Sequence, residues 1–420
     1  MSGSSRRMRQ GATLSLVFGA VLATGAATGA WSGAGGTVPA PRHPVTARLV
    51  SDGADLSGED LSPEEAERLV GQSGDRWAAY YSPEEYAEYA RSLDGEYVGV
   101  GLWVSRDRDG GVAVSRVQQG TPAARAGIRV GDRLVRIDGA PAEQMPVTEV
   151  VARLRGSTAG GGTGTGSAGG RASRQDPEGR SAMPAADADR EVGSTVTLAV
   201  RRAGSPVREV TLRRTLLATH DVAVDHPGRD ITRITVGAFT AGVGREVAEA
   251  ARSAAAQRTA DGARTGGIVL DLRGNSGGLV AEAVRAASAF LDGGPVGTYQ
   301  VHGADQDLTA APGGDTATPL VVLVDSGTMS AAELLAGALQ DRCRAVVVGS
   351  RTFGKGTVQE PSRLADGSVL ELTVGRWFTP AGRSPDGAGI EPDVSVPAAA
   401  DPAQAEQLAL TVLSGLGSPG

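Results

Sequence analysis

Two side chains able to do covalent chemistry lie in one stretch, Val321 to Gln359, of this 420-residue chain. Ser330 opens the run Ser330-Ala331-Ala332-Glu333, and Lys355 sits between glycines in Phe353-Gly354-Lys355-Gly356. Lys355 is the only lysine in the sequence, although lysine and arginine together number 41. Arginine stays protonated in proteins and cannot act as a general base, whereas a partly buried lysine can lose its proton. A lone lysine among arginines is either a chance survivor or a position that must titrate. With a serine nearby, the second reading becomes a serine–lysine nucleophilic site.

Ser330 has two readings. Ser330-Ala331-Ala332-Glu333 matches a capping box, in which the serine caps the first helical turn and the glutamate reaches back. Alone, that pattern is a helix start. The functional reading places the hydroxyl at the positive end of the helix dipole, with the otherwise unpaired Ala331 amide facing an anion. The presence of Lys355 favours the second.

The surrounding elements would position both residues. Leu320 to Val324 is a short β-branched run suited to a strand buried on both faces. Asp325-Ser326-Gly327 reads as a turn, Ser330 to Leu339 as a helix, and Ala345 to Val348 as a second buried strand. The lysine loop follows.

Together, GTMSAAELLAGALQD and VVVGSRTFGKGTVQ resemble the catalytic core of the carboxy-terminal processing, or tail-specific, serine proteases. The resemblance implies Ser330 as nucleophile, Lys355 as general base and Gln359 as the residue orienting the lysine. It also implies a fold of the α/β class: a crotonase/ClpP-like αβ protease core, an inserted or preceding PDZ-like domain (mostly β) and a small N-terminal helical segment. The turn before the serine departs from the family, which has Asn-Glu-Gly or similar where this chain has Asp325-Ser326-Gly327. That change is expected to alter rim polarity only. Arg273-Gly274-Asn275-Ser276-Gly277-Gly278, between a strand and a helix, suits an oxyanion hole. By resemblance, Gly277 or its neighbour pairs there with Ala331.

Upstream, Ser62-Pro63-Glu64-Glu65 and Ser82-Pro83-Glu84-Glu85 are capped helix starts, giving a helical segment over 61–94 with Trp77 to Tyr81 between them. The order over 95–215 resembles a PDZ domain: strand Tyr97 to Val104, strand Val112 to Val117, helix Pro122 to Ala126, strand Arg133 to Ile137, helix Val147 to Leu154, strand Thr195 to Arg201. Such domains take a peptide's C-terminus as an added strand. The carboxylate-binding amides would be those of Val100, Gly101 and Leu102. Residues 156–190 lose all periodicity and read as a disordered insertion. The protease core is expected over 216–398 and a tail over 399–420.

Arg6, Arg7 and Arg9 precede an uncharged stretch from Gly11 to Ala30, so residues 1–30 read as a signal peptide or membrane anchor and 31–60 as a linker. Work outside the cytoplasm is expected, with a membrane tether if the leader is kept. A net charge of −7 argues against nucleic acid as a partner. The single cysteine, Cys343, excludes an internal disulfide, and the four histidines lack metal-ligand spacing, so no metal or cofactor is expected. Protein substrates bound by their C-termini are the expected partners, and the resemblance adds a homodimer. Two rival readings remain. A trypsin-like enzyme would use Ser276 with His220 and Asp221, but too few residues precede Ser276 for a double β-barrel. A non-catalytic peptide-binding scaffold would be expected to lack the nucleophile or the base.

Overall fold

In a computed structural model, the described residues are 61–107, 109–156, 192–228, 230–260 and 266–416, with the short strands Leu49–Ser51 and Ala54–Leu56. The expected leader, most of the expected linker and the expected insertion from residue 157 onward lie outside them. The chain forms two compact units. One holds the sequence up to Tyr80, Asp221–Ala365 and Leu370–Gly420; the other holds Tyr81–His220 and Asp366–Val369. The boundary near the N-terminus therefore falls between the two capped helices, Pro63–Gln72 and Pro83–Leu93, rather than after both.

The first unit is built on a six-stranded sheet. Its strand order is Val222–Gly228, Ile231–Val236, Gly267–Asp271, Leu320–Val324, Val346–Gly349 and Val394–Ser395. Only the first pair is antiparallel. Gly267–Asp271 and Leu320–Val324 are buried at every position, as expected of parallel strands covered on both faces. Their side chains alternate between two cores. Ile268, Leu270, Val322 and Val324 pack with the helices Val243–Ala260, Val280–Ser288 and Ala331–Asp341. Val269, Val321 and Leu323 pack with Ala405, Ala409 and Leu413 of the helix Pro402–Leu416. Turn residues gather at the C-terminal ends of the parallel strands, where such sheets place their sites.

A second sheet in this unit runs Ala304–Thr309, Pro295–Val301, Val369–Phe378, Thr357–Arg363, and the strand Ala79–Tyr81 pairs with Val369–Phe378. The stretch from Trp77 to Tyr81, expected within a helical segment, is thus loop and strand. The Pro83 start of the second helix and the turn at Asp75 confine this stretch, and its tyrosines suit a strand.

The other unit carries the sheet Arg208–Arg213, Thr195–Arg201, Arg133–Ile137, Val112–Val117, Leu102–Arg106, in that order. The expected single strand over Tyr97 to Val104 is two, Glu96–Gly99 and Leu102–Arg106, because Gly101 at φ +81° turns the chain between them. Leu102–Arg106 is an edge strand, with the helix Val147–Arg155 packed beside it.

Candidate active site

Ser330 follows Leu320–Val324 by one tight turn and immediately precedes the helix Ala331–Asp341. Its backbone is left-handed, φ +57° and ψ −116°, a conformation costing a non-glycine residue about 1–3 kcal/mol. Surrounding bonds enforce it. Asp325 Oδ1 accepts the Gly327 amide at 2.9 Å and the Gly274 amide at 2.8 Å. The Thr328 hydroxyl donates to Leu272 O at 2.9 Å, and the Met329 amide to Asn275 O at 2.8 Å. The turn expected to alter only rim polarity therefore ties the serine to the glycine-rich loop.

The capping box forms from the glutamate's side: Glu333 Oε2 accepts the Ser330 amide at 2.8 Å. The serine hydroxyl is buried and makes no hydrogen bond among the described residues. A capping serine would spend that hydroxyl on the helix; this one leaves it available.

Glu333 does more than cap. The same fully buried carboxylate accepts from the Thr352 hydroxyl at 2.5 Å and from the amides of Gly354 at 2.7 Å and Lys355 at 2.9 Å. It fastens the serine turn to the lysine loop through four donors. Burial pushes its carboxyl up, opposed by those donors. Sequence reading cast Glu333 only as a cap residue, because its partners in the lysine loop come from beyond the helix.

The glycines beside Lys355 are sterically required. A Cβ on Gly354, at φ +91°, would stand 3.0 Å from Gly389 N, and one on Gly356 would stand 2.5 Å from Asp386 N. The loop is pressed against 385–389, and the Trp377 indole holds Lys355 O at 3.0 Å. Lys355 is fully buried. Desolvation lowers its amine from 10.5 to about 8, against the carboxylates of Glu371, Asp75 and Glu333; the Arg76 guanidinium also lowers it. Its Nζ lies 4.6 Å from the Trp77 ring centroid.

Gln359 is buried, and its Nε2 donates to the Thr357 hydroxyl at 2.8 Å and the Thr373 hydroxyl at 3.0 Å. Both threonines fix the amide, and its Oε1 makes no hydrogen bond among the described residues.

Gly277 lies against the serine: a Cβ there would meet Ser330 Cβ at 3.0 Å and Ala331 N at 3.3 Å. Its amide, however, donates to Asn275 Oδ1 at 2.8 Å. The expected oxyanion donor is thus engaged in this structure, because the Asx turn of Asn275 claims it first. Among the described residues the amides of Gly278 and Ala331 make no hydrogen bond.

In the other unit, Val100, Gly101 and Leu102 lead into the edge strand. The Val100 carbonyl accepts Ala123 N and the Gly101 carbonyl accepts Gln118 N, each at 3.0 Å. The Val100 and Gly101 amides make no hydrogen bond among the described residues. An alanine at 101 would meet the Thr121 hydroxyl at 2.3 Å, so only glycine fits.

Residues 230–396 match the sequence profile of peptidase family S41, and residues 90–159 match the PDZ domain. A carboxy-terminal processing protease of Bacillus subtilis, CtpA, is 29% identical over 329 residues, covering 78% of this chain and 62% of the relative. A carboxyl-terminal-processing protease of Synechocystis is 32% identical over 318 residues, covering 74% and 65%. The chain spans about three fifths of the length of the curated relatives it matches. A Bacteroides fragilis structure described as an S41 protease superposes with a TM-score of 0.50 at 16% identity, covering 87% of this chain and 93% of that one. That likeness is one of fold.

Proposed function

We propose that this chain, a member of peptidase family S41 whose residues 90–159 are a PDZ domain, is a serine endopeptidase that takes protein substrates by their C-terminal tails. The observation carrying this reading is the buried Ser330 hydroxyl, without a hydrogen bond among the described residues, on a residue whose backbone amide Glu333 ties to the loop of the chain's only lysine.

Lys355, neutral once its depressed pKa is passed, takes the Ser330 proton as Oγ attacks the peptide carbonyl. The developing oxyanion meets the Ala331 amide at the helix N-terminus and a second amide from the glycine pair. Either Gly278 supplies it, or Gly277 does after leaving Asn275. The Lys355 ammonium then protonates the departing amine as the C–N bond breaks, leaving Ser330 acylated. Water, deprotonated by Lys355, attacks the ester, and the resulting ammonium returns that proton to Ser330 Oγ as the acyl C–O bond breaks and the product leaves. Gln359 orients the amine between these transfers through its Oε1, a role supported by the two threonine hydroxyls that hold its Nε2. The amides of Val100, Gly101 and Leu102 support capture of a terminal carboxylate, with the peptide added along Leu102–Arg106.

The arginines before the uncharged stretch at 11–30 support a location outside the cytoplasm, checked by fractionation with and without residues 1–30. The resemblance to tail-specific proteases supports a homodimer, checked by sedimentation.

Cleavage of an unstructured protein with a free apolar C-terminus tests the chemistry. Ser330→Ala and Lys355→Arg are expected to reduce turnover to background while circular dichroism stays native. Arginine keeps the charge and donors but does not release its proton at any working pH. A Lys355→Arg enzyme retaining a tenth of wild-type turnover would overturn the mechanism. Wild-type protein that binds the tail without cutting would favour the scaffold reading.

A further inference from the structure

Lys355 is fully buried, yet the residue against its amine belongs to a short stretch without regular secondary structure. After the helix Pro63–Gln72 the chain turns through Ser73 to Ala78 before entering the strand Ala79–Tyr81. Asp75 anchors that turn at both carboxylate oxygens: Oδ1 accepts the Trp77 amide and Oδ2 the Thr373 amide, each at 2.9 Å. Arg76 reaches Gly354 O at 3.4 Å and Asp386 at 3.5 Å. Between these ties the Trp77 ring lies 4.6 Å from Lys355 Nζ and 4.8 Å from the Arg76 guanidinium carbon, and it packs on Phe353 with centroids 5.8 Å apart.

Two features indicate that ring placement, rather than indole hydrogen bonding, decides this geometry. Trp77 Nε1 is buried without a partner among the described residues, which a freely chosen rotamer would avoid. Phe353, its aromatic neighbour, remains substantially exposed, so the ring pair stands where the lysine loop meets solvent.

Among the groups that act on the amine are the carboxylates of Glu371, Asp75 and Glu333, the Arg76 guanidinium and the Trp77 ring. Three anions and an aromatic face favour the ammonium. Exclusion of water, the largest influence, and the Arg76 charge oppose them.

We propose that Trp77 is the cover of the Lys355 amine, a positioning residue that keeps water from the general base while Asp75 holds the cover in place. The proposal rests on Lys355 being the base. Its test reads the amine directly, without substrate.

Because Lys355 is the only lysine, a small amine-reactive acylating reagent followed by peptide mass spectrometry reports this side chain alone. Labelling rate against pH gives its titration midpoint, and the plateau rate gives its accessibility. In Trp77→Ala, water reaches the amine. The midpoint should rise by at least about one pH unit and the plateau rate about tenfold. In Trp77→Leu the cover stays but the aromatic face is lost, so the midpoint should fall by about half a unit. Trp77→Phe keeps both and should match wild type. The acid limb of kcat/KM should move with the labelling midpoint in every variant.

A folded Trp77→Ala protein with unchanged midpoint and plateau overturns the proposal. If Trp77→Ala does not fold, Trp77→Val, which covers less than Trp77→Leu and has no aromatic face either, decides, and equal midpoints and plateau rates for Val and Leu overturn it. Failure of the cover would leave the Ser330→Ala and Lys355→Arg results intact. An active Lys355→Arg enzyme would instead remove the base, whatever the labelling gives.

Discussion

In the function proposed above, the Ser330 turn and the Val100–Leu102 turn set backbone amides for the same purpose, to meet a negatively charged oxygen. Both do so where the chain passes through a left-handed residue, Ser330 at φ +57° and Gly101 at φ +81°. Their surroundings differ in kind. Around Ser330 the structure buries a carboxylate, an amine and an amide side chain, Glu333, Lys355 and Gln359, all fully excluded from solvent. Around Gly101 it buries aliphatic side chains such as Val100 and Ala123 and leaves a strand edge unpaired. Holding a carboxylate terminus requires only amides and an open edge. Moving a proton requires titratable groups out of water, with each buried charge answered by a neighbour. Changes in the first region should therefore act on turnover and pH, and changes in the second on capture.

The largest effect that sharpens this contrast is expected at Glu333. Glu333→Gln keeps the shape but removes the charge that four donors share, and its amide group must face some of them. Turnover should fall by two to three orders of magnitude, by the cost of misplacing the serine and lysine together. Loss of a buried carboxylate network should also lower unfolding free energy by about 3 kcal/mol. KM for a tailed substrate should stay near wild type. Equal loss in KM and kcat would blur the division between the two regions.

Next is the pH dependence. The amine must be neutral to accept the serine proton, and its pKa stands at about 8. Below that value kcat/KM should climb about tenfold per pH unit and level off above it. A profile flat between pH 6 and 9 would mean that Lys355 is not the titrating group. Binding of a free tail to the unit that carries Val100–Leu102 should not follow this profile, since Lys355 belongs to the other unit.

In the groove the expected effects are smaller. Gly101→Ala drives a methyl into Thr121 and strains the turn, so KM for a tailed substrate should rise about tenfold with little change in kcat. Amidating the substrate's C-terminus removes charge-assisted bonds and should raise KM on unchanged enzyme by a similar factor. Equal cleavage of free and amidated substrates would exclude tail capture as the selecting step.

How much of this was legible in the sequence follows from what each element needs. Val112–Val117, Arg133–Ile137, Thr195–Arg201 and Leu320–Val324 have the expected bounds, because apolar runs between turn residues encode them locally. The hairpin Pro295–Val301 with Ala304–Thr309 was not read, since its second strand, ADQDLT, is almost wholly exposed and carries no apolar alternation. Ser330 and Lys355 were visible as residue types in short motifs. Trp77 over Lys355 was not, because nothing in the local sequence joins residues so far apart. The engagement of Gly277 by Asn275 depends on a side-chain rotamer, and a glycine-rich turn does not encode which amide remains free.

The smallest effect concerns the segment that separates the two halves of the PDZ unit. Replacing residues 157–189 with a short Gly/Ser link is expected to leave melting temperature and cleavage within about twofold of wild type. The argument comes from the segment's ends. Arg214 is largely buried and spans them: Nη2 donates to Arg153 O at 2.6 Å and Nε to Leu154 O at 3.2 Å. Its Nη1 meets the Ser194 hydroxyl and Thr195 O, both at 2.9 Å. The helix ends cleanly at Gly156, φ +107°, and Leu154 and Val196 on either side are core residues. The mouth of the segment is closed by the folded unit itself, so the link has only to span it. Each halving of the loop should return about 0.6 kcal/mol of closure entropy. Arg214→Ala should lower the melting temperature of both the full chain and the shortened one, by the loss of several bonds to buried carbonyls. If the shortened protein folds but loses most of its cleavage, the segment binds or regulates, and the division of labour between the two regions would need a third member.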